Sequence, residues 1–401
     1  MNIEERFLEY VKINTQSDPT SKTTPSSACQ LDLANLLVQQ LHDLGICNAH
    51  LDEYGIVYAS IEANESNLDK IGFLAHMDTS PDASGKDVKP QIIRNYNGEI
   101  ITLNENNNFV LDPNIFPSLN TVIGHDLVTT DGTTLLGADD KAGIAIIMDM
   151  LQYVTTHPEY KHGRISIAFT PDEEIGGGID QFNVEKFDVD YAYTIDGGSI
   201  NKVGYENFNA YGATIKITGR SVHPGDAKNE MINASLVAME FEAMLPVDQK
   251  PQYTSGYEGF FHLHEISGSC NEASMEYIIR NHDLQLAKKQ VEQLKNIMTF
   301  LNQKYGYEIC QLDIEQQYLN MYEVLKNDLT PVNRLFEAFK TLNIPASREA
   351  IRGGTDGARL TFMGIPCPNI GTGGFNFHGN YEYASLTMMQ QVSQLLLEII
   401  K

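Results

Sequence analysis

Positive charge is scarce in this chain: 28 Lys and Arg residues stand against 53 Asp and Glu, a formal net charge of -25 over 401 residues. A surface with that balance repels phosphate backbones and anionic headgroups, which argues against nucleic acid and membrane as partners and gathers cations instead. Long apolar runs are missing too. None approaches the roughly 18–20 residues that a membrane-spanning helix needs. The start, "MNIEERFLEYVKINTQSD", is an acidic amphipathic stretch without the basic residues and apolar run of a secretory signal. Cysteine is sparse. Cys29, Cys47, Cys270, Cys310 and Cys367 are odd in number, scattered, and lack the paired spacing of a zinc knuckle. They read as reduced thiols in a cytoplasmic protein, each a small apolar side chain.

What is present is an ordinary globular composition, 42% hydrophobic, in a chain long enough for two cores. Short apolar runs recur, and polar groups follow each one. "IGFLA" (71–75) precedes His76 and Asp78, and "ISIAFT" (165–170) precedes Glu173 and Glu174. "YAYTI" (191–195) precedes Asp196, and "CPNIG" (367–371) precedes a Gly-rich turn and His378. Runs apolar throughout suit strands buried on both faces, as in parallel sheets covered by helices. Helical patterns lie between them in "SSACQLDLANLLVQQLHDLG", "AGIAIIMDMLQYVTTHP" and "TPVNRLFEAFKTLNIP".

The pattern therefore predicts an α/β domain over 1–206 and 321–401, a mostly parallel mixed sheet flanked by helices. Residues 207–320 read in the order βαββαβ, that of a ferredoxin-like split βαβ unit, and are predicted to form an inserted second domain. The Asn- and Thr-rich stretch 88–134 predicts an irregular excursion with short strands.

In open α/β sheets, ligands sit at the carboxyl ends of the strands. His76, Asp78, Glu173, Glu174, Asp196 and His378 all fall there, and Asp139 and Asp140 sit between a strand-like pair and a helix in "LLGADDKAG". On their own the two aspartates suit a solvated helix start, where acidic side chains meet the positive end of the macrodipole. The recurrence of such groups at several strand ends favours one shared site. No serine or cysteine stands with a histidine and an orienting acid, so the set is not a nucleophile triad.

Imidazole mixed with carboxylate suits zinc, manganese, cobalt or iron over calcium or magnesium. Two metal ions fit, because one bridging carboxylate and two further ligands per ion take five residues. Asp78, two residues after His76, shares its strand face and can hydrogen-bond its imidazole. Glu173 and Glu174 are adjacent and point apart, so one can bind metal while the other faces water. The "GGG" at 176–178 lacks the spacing of a phosphate cradle and reads as a turn.

Taken in order, "LAHMDT", "LLGADDKAG", "TPDEEIGGG", "YTIDGG" and "TGGFNFHGNYE" resemble the motifs of the co-catalytic dinuclear zinc peptidase and aminoacylase family. "RFLEYVKINTQSD", "GRSVHPGDAKNEMINA" and "IRGGTDGARLTFMGIPCPNIGTGG" extend the resemblance over essentially the whole chain. It implies a zinc-peptidase-like catalytic domain carrying an inserted lid or dimerisation domain, and two Zn2+ ions per subunit with Co2+ or Mn2+ as substitutes. Asp139 would bridge the ions. His76 and Asp196 would complete one shell and Glu174 and His378 the other, with Asp140 supporting rather than binding.

The implied activity is that of a metallo-aminopeptidase. It would remove the N-terminal residue from short peptides, tripeptides above all, with Glu173 as the base toward a metal-bridging water and Asp78 beside it. An aminoacylase or deacylase is the alternative within the family. By the same resemblance His223, in "SVHPGDAKN", would stabilise the oxyanion, reaching over from a partner in a homodimer formed through the inserted domain. By itself it reads as a surface histidine beside a turn-making Pro-Gly. Arg280 in "IIRNHD" and Arg352 in "IRGGTDG" suit a grip on a peptide carboxylate, or ordinary ion pairs. His262 and His264 alternate in "FHLHE" but have no acidic partner set.

Overall fold

Among the described strands of five residues or more, three are buried along their whole length: Ile71–His76, Ile165–Thr170 and Tyr191–Ile195. In the computed structural model, which describes residues 1–105 and 109–401, they lie side by side and parallel. They form the centre of an eight-stranded mixed sheet. From edge to edge its strands are His50–Leu51, Val57–Ile61, Ile165–Thr170, Ile71–His76, Tyr191–Ile195, Asn369–Ile370, Lys202–Asn207 and Ser347–Ile351. Asn369–Ile370 extends the parallel centre to four strands, while Val57–Ile61 and Lys202–Asn207 run antiparallel to their neighbours.

Burial on both faces needs a cover on both faces. Helix Ala138–Thr156, apolar on nearly every side, packs on Ile71–His76 and is itself contacted by helices Ile3–Tyr10 and Leu386–Ile399. On the other face Ile179, Phe182, Phe187 and Leu360 close over Tyr58, Leu74, Ala168 and Ala192. Each buried Leu, Ile or Phe among them contributes roughly 1.5–3 kcal/mol relative to exposure.

The chain divides into two compact units. One holds Met1–Tyr205, Val324–Glu349 and Thr355–Lys401, and the other holds Glu206–Glu323 with Ala350–Gly354. The second unit is a βαββαβ sandwich. Its antiparallel sheet runs Phe260–Gly268, Glu272–Asn281, Asn209–Thr218, Cys310–Tyr318. Ile215, Ile217, Met275 and Ile279 alternate onto one face and meet Val237 and Phe241 of helix Ala234–Ala243 and Leu294 and Leu301 of helix Leu284–Tyr305. That second helix starts at Asp283, whose side chain accepts the Leu286 N–H, and stops at Gly306 with φ 77°.

The stretch 88–134 carries the short strands Gln91–Ile93, Ile101–Asn104, Phe109–Leu111 and Leu127–Thr129. Two of them join a further sheet with Gly374–Phe375 and Tyr383–Ser385, in the order 374–375, 383–385, 127–129, 91–93. This pairing of distant segments frames the loop that holds His378. Among the described residues no helix is long and apolar enough to cross a membrane, and the five cysteines are free thiols.

Candidate metal centre

The carboxyl ends of the parallel strands converge. His76 is the last residue of Ile71–His76, Asp196 directly follows Ile195, and Glu173 and Glu174 form a single 3-10 turn just beyond Thr170. Asp139 and Asp140 lie at a kink in the first turn of the buried helix, with non-helical φ/ψ, just past Gly137 with its left-handed φ of 82° and Ala138. The helix start can approach the strand ends because residue 143 is glycine: a Cβ there would lie 2.0 Å from the Ile195 carbonyl oxygen and 2.6 Å from Asp140 Oδ1.

The potential ligand atoms of His76, Asp139 and Glu174 all lie within 4.8 Å of one another, as do those of His76, Asp140 and Asp196. His76 Nε2 is 2.9 Å from Asp139 Oδ1. His378 Nε2 is 3.3 Å from Asp139 Oδ2 and 2.9 Å from Glu174 Oε2. Asp139 thus presents one carboxylate oxygen to each imidazole. Asp140 is employed otherwise: its carboxylate accepts the main-chain N–H of His76 at 3.3 Å and of Gly143 at 3.2 Å. The peptide between the two aspartates is cis.

Asp78 does more than its spacing from His76 suggests. Its Oδ1 lies 3.3 Å from His76 Nδ1, while its carboxylate accepts the N–H of Glu173 at 3.0 Å and of Glu174 at 3.2 Å. Three further acids, absent from the reading of the sequence, hold the surrounding loops. Glu382 is 1% exposed and accepts the N–H groups of Leu136, Gly137 and Asp139. Asp356 is buried, accepts the Thr170 hydroxyl at 2.9 Å and packs against Gly178. Asp172 is buried and held by Ser26 and Gln30. Arg359 donates to the Gly176 carbonyl on the far side of the Glu173–Glu174 turn.

Crowding carboxylates under cover shifts their proton affinity. Burial, then the neighbouring Asp139, pushes Asp196 up to about 7. Burial alone dominates at Asp356, pushed up to about 6, and at Glu382, pushed up to about 7 despite three N–H donors. Burial also raises Asp140, Glu173 and Glu174. At Asp139 burial is outweighed by hydrogen bonds from His378 and His76, which hold it well below the carboxylate range. In return, contacts with Asp139 and Glu174 lift His378 to about 11. Burial opposes protonation of His76, but Asp139 and Asp78 carry it above its ordinary value.

This arrangement is short of positive charge. Glu174 Oε1 is buried with no hydrogen-bond partner among the described groups, although buried carboxylate oxygens almost always have one. Mixed imidazole and carboxylate donors, an orphan oxygen and carboxyls pushed toward neutrality together fit a metal cation.

The other sequence-predicted residues lie in the second unit. His223 is 80% exposed at its side chain, and its Nδ1 accepts the Gly225 N–H at 3.1 Å within the Pro-Gly turn. Arg280 is half-buried, stacks 5.3 Å over the Tyr318 ring and donates to the carbonyls of Ile279 and Tyr211 at 2.9 and 3.2 Å. Arg352 donates to the carbonyls of Gly256 at 2.7 Å and Glu258 at 3.1 Å and lies over Phe208 and Phe260. The rings of His262 and His264 are 6.0 Å apart, and neither joins a candidate metal cluster among the described residues.

Residues 205–306 match the family model described as a peptidase dimerisation domain. A protein named peptidase T from Alkaliphilus oremlandii is 51% identical over 404 residues, covering 100% of this chain and 98% of that one. Among solved structures, the aminopeptidase PepT of Bacillus cereus superposes with a TM-score of 0.80 at 20% identity, covering 100% of this chain and 97% of that one. A tripeptidase from Staphylococcus aureus superposes at 0.77 and 21% identity over 100% and 97% of the two chains. The two structures speak for the fold, and the full-length sequence match speaks for descent: the chain belongs to the peptidase T family.

Proposed function

We propose that this chain is a dinuclear zinc aminopeptidase that removes the N-terminal residue from tripeptides. The observation that carries the reading is Asp139, with one carboxylate oxygen toward each imidazole, beside the unpartnered Oε1 of Glu174. The names of the solved relatives, an aminopeptidase and a tripeptidase, support the substrate class. In this reading two ions would be held by these five side chains, one by His76 and Asp196 and the other by Glu174 and His378, with Asp139 shared between them. Zinc bound there, or cobalt or manganese in its stead, would polarise the scissile carbonyl and acidify the attacking water.

Glu173 is the base. Burial raises its carboxyl above the ordinary value, so it can take the proton of the attacking water, keep it, and hand it to the leaving amine. Asp78 fixes the Glu173 main chain through the N–H it accepts and orients the His76 ring. His223 stabilises the oxyanion, acting from the partner in a homodimer formed through the inserted unit that carries the dimerisation match. Arg280 and Arg352 grip the peptide carboxylate; their guanidinium groups meet main-chain carbonyls and aromatic rings, which leaves the positive charge of each for a substrate anion. Free thiols at all five cysteines are in keeping with a cytoplasmic enzyme.

The deciding experiment is hydrolysis of di-, tri- and tetrapeptides, with free and acetylated N-termini, by zinc-reconstituted protein. Free tripeptides are expected to be cleaved fastest. Cleavage of acetylated substrates alone would overturn the reading in favour of an aminoacylase. Glu173→Gln is expected to keep its metal and lose about 10²–10⁴-fold in turnover; activity near that of the parent would remove Glu173 as the base.

A further inference from the structure

The stretch "RFLEYVKINTQSD" and the residues after it have no part in the chemistry so far, yet they touch two of the loops that carry it. Ser17 donates to the Thr79 carbonyl through its N–H at 3.1 Å and its hydroxyl at 3.2 Å, and the Thr79 N–H returns to the Thr15 carbonyl at 3.2 Å. Thr79 directly follows Asp78. Further along, Ser26 and Gln30 close on Asp172, the residue before Glu173.

Asp172 is 2% exposed. Its Oδ1 accepts the Ser26 hydroxyl at 2.5 Å and Gln30 Nε2 at 2.7 Å, and its Oδ2 accepts the Ser26 N–H at 2.7 Å. Its own N–H donates to Gln30 Oε1 at 3.2 Å. The Asp18 N–H, donated to the Ser26 oxygen at 2.9 Å, leaves that hydroxyl free to give its proton to Asp172.

The backbone of Asp172 sits at φ 57° and ψ 24°, a left-handed conformation uncommon for a residue with a Cβ, though aspartate adopts it more readily than most. Its carbonyl accepts the Gly177 N–H at 2.8 Å. The side chain is thus anchored at one end while the main chain turns at the other, and the direction in which Glu173 leaves follows from that turn. For stability alone an apolar side chain would serve as well, since burying a carboxylate costs free energy that three donors only offset.

We infer that Ser26, Gln30 and Asp172 are positioning residues: together they clamp the backbone that aims Glu173, and Thr15–Gln30 acts as a strap across the loops bearing Asp78 and Glu173. This rests on the reading of Glu173 as the base.

The test uses full-length, zinc-reconstituted protein with the substitutions Ser26→Ala, Ser26→Thr, Asp172→Asn and, as control, Glu173→Gln. For each, kcat and KM on a free tripeptide, bound zinc and the thermal midpoint are measured. Ser26→Ala and Asp172→Asn are expected to lower kcat about tenfold or more, the scale of a small misplacement of a reacting group. KM should stay within about twofold and bound zinc at the parent level, the signature of an interaction lost only in the transition state. Ser26→Thr, which keeps the hydroxyl, should recover most of kcat.

Parent-like kcat in both Ser26→Ala and Asp172→Asn, with Glu173→Gln inactive, would overturn the clamp and leave the base in place. So would a loss of kcat that only follows folded fraction or bound zinc. An active Glu173→Gln would instead remove the base itself. Should Asp172→Asn fail to fold, the contrast between alanine and threonine at position 26 decides the matter.

Discussion

The carboxylate of Glu382 accepts the main-chain N–H of Asp139 at 3.1 Å, across 243 residues of sequence. The same side chain holds the N–H groups of Leu136 at 2.7 Å and Gly137 at 2.8 Å. The whole turn that presents Asp139 therefore hangs on one buried acid four residues beyond His378, and two ligand-bearing segments of the proposed site are tied together by it.

Glu382→Ala strands three N–H groups, each costing about 1–3 kcal/mol where it stays buried, and frees the Asp139 turn. Zinc affinity should fall about 10–100-fold, the range seen when groups that orient metal ligands are lost. Glu382→Gln, which keeps one acceptor oxygen, should fall less. Titration against a competing chelator checks both. Parent-like affinity in the alanine variant would mean that the turn holds itself.

Asp78 touches His76, Glu173 and Glu174 at once, so Asp78→Ala should weaken zinc binding and lower kcat together, each by about 10–100-fold. A drop in kcat with zinc affinity intact would confine Asp78 to the base and separate it from the metal.

Removing metal should make stability fall with pH. Asp196 rises from an ordinary 3.8 to about 7 and Asp356 from 3.8 to about 6 in the folded chain, both chiefly through burial. A carboxyl with a raised folded pKa binds its proton more tightly folded than unfolded, so its contribution is complete below about pH 4 and is lost as pH climbs through 6 to 7. His378, lifted by Asp139 and Glu174 from 6.5 to about 11, has the same sign over a higher range. The chelated protein should therefore trail the zinc-loaded protein in thermal midpoint by more at pH 8 than at pH 5. A gap that narrows with rising pH would contradict this account.

Should His223 act across subunits, mixing inactive Glu173→Gln chains with inactive His223→Ala chains will regenerate activity, because one site of each mixed dimer is whole. No recovery despite confirmed subunit exchange would restrict His223 to its own chain or to the Pro-Gly turn it caps.

Parallel strands announce themselves because both faces are covered: "IGFLA", "ISIAFT" and "YAYTI" are apolar apart from a few small hydroxyl residues and carry no charge, and the charged residues just past their ends stand out against that background. Glu382 gave no such signal. It sits in "GNYEYAS", where it resembles any surface acid, and the partners that explain it are main-chain amides, which no side-chain pattern reports. The nearest clue was its spacing, four residues beyond His378 and between two tyrosines.

Asp356, inside the turn-like "GGTDG", and Asp172, inside the acidic "PDEE", were hidden for a related reason. Their surroundings suggest solvent, while Thr170, Ser26 and Gln30 bury them. The small sheet that frames His378 joins segments some 250 residues apart, and short strands of this kind carry too little periodicity to reveal their partners.

The central sheet is completed late in the chain. Asn369–Ile370 takes its place between Tyr191–Ile195 and Lys202–Asn207, and His378 follows it only after the whole inserted unit has been made. At about 5–20 residues per second, the ribosome needs on the order of ten seconds or more between Asp196 and His378. Throughout that interval the proposed ligand set lacks His378, so a site that needs it can take up its full metal complement only after the inserted unit has been made.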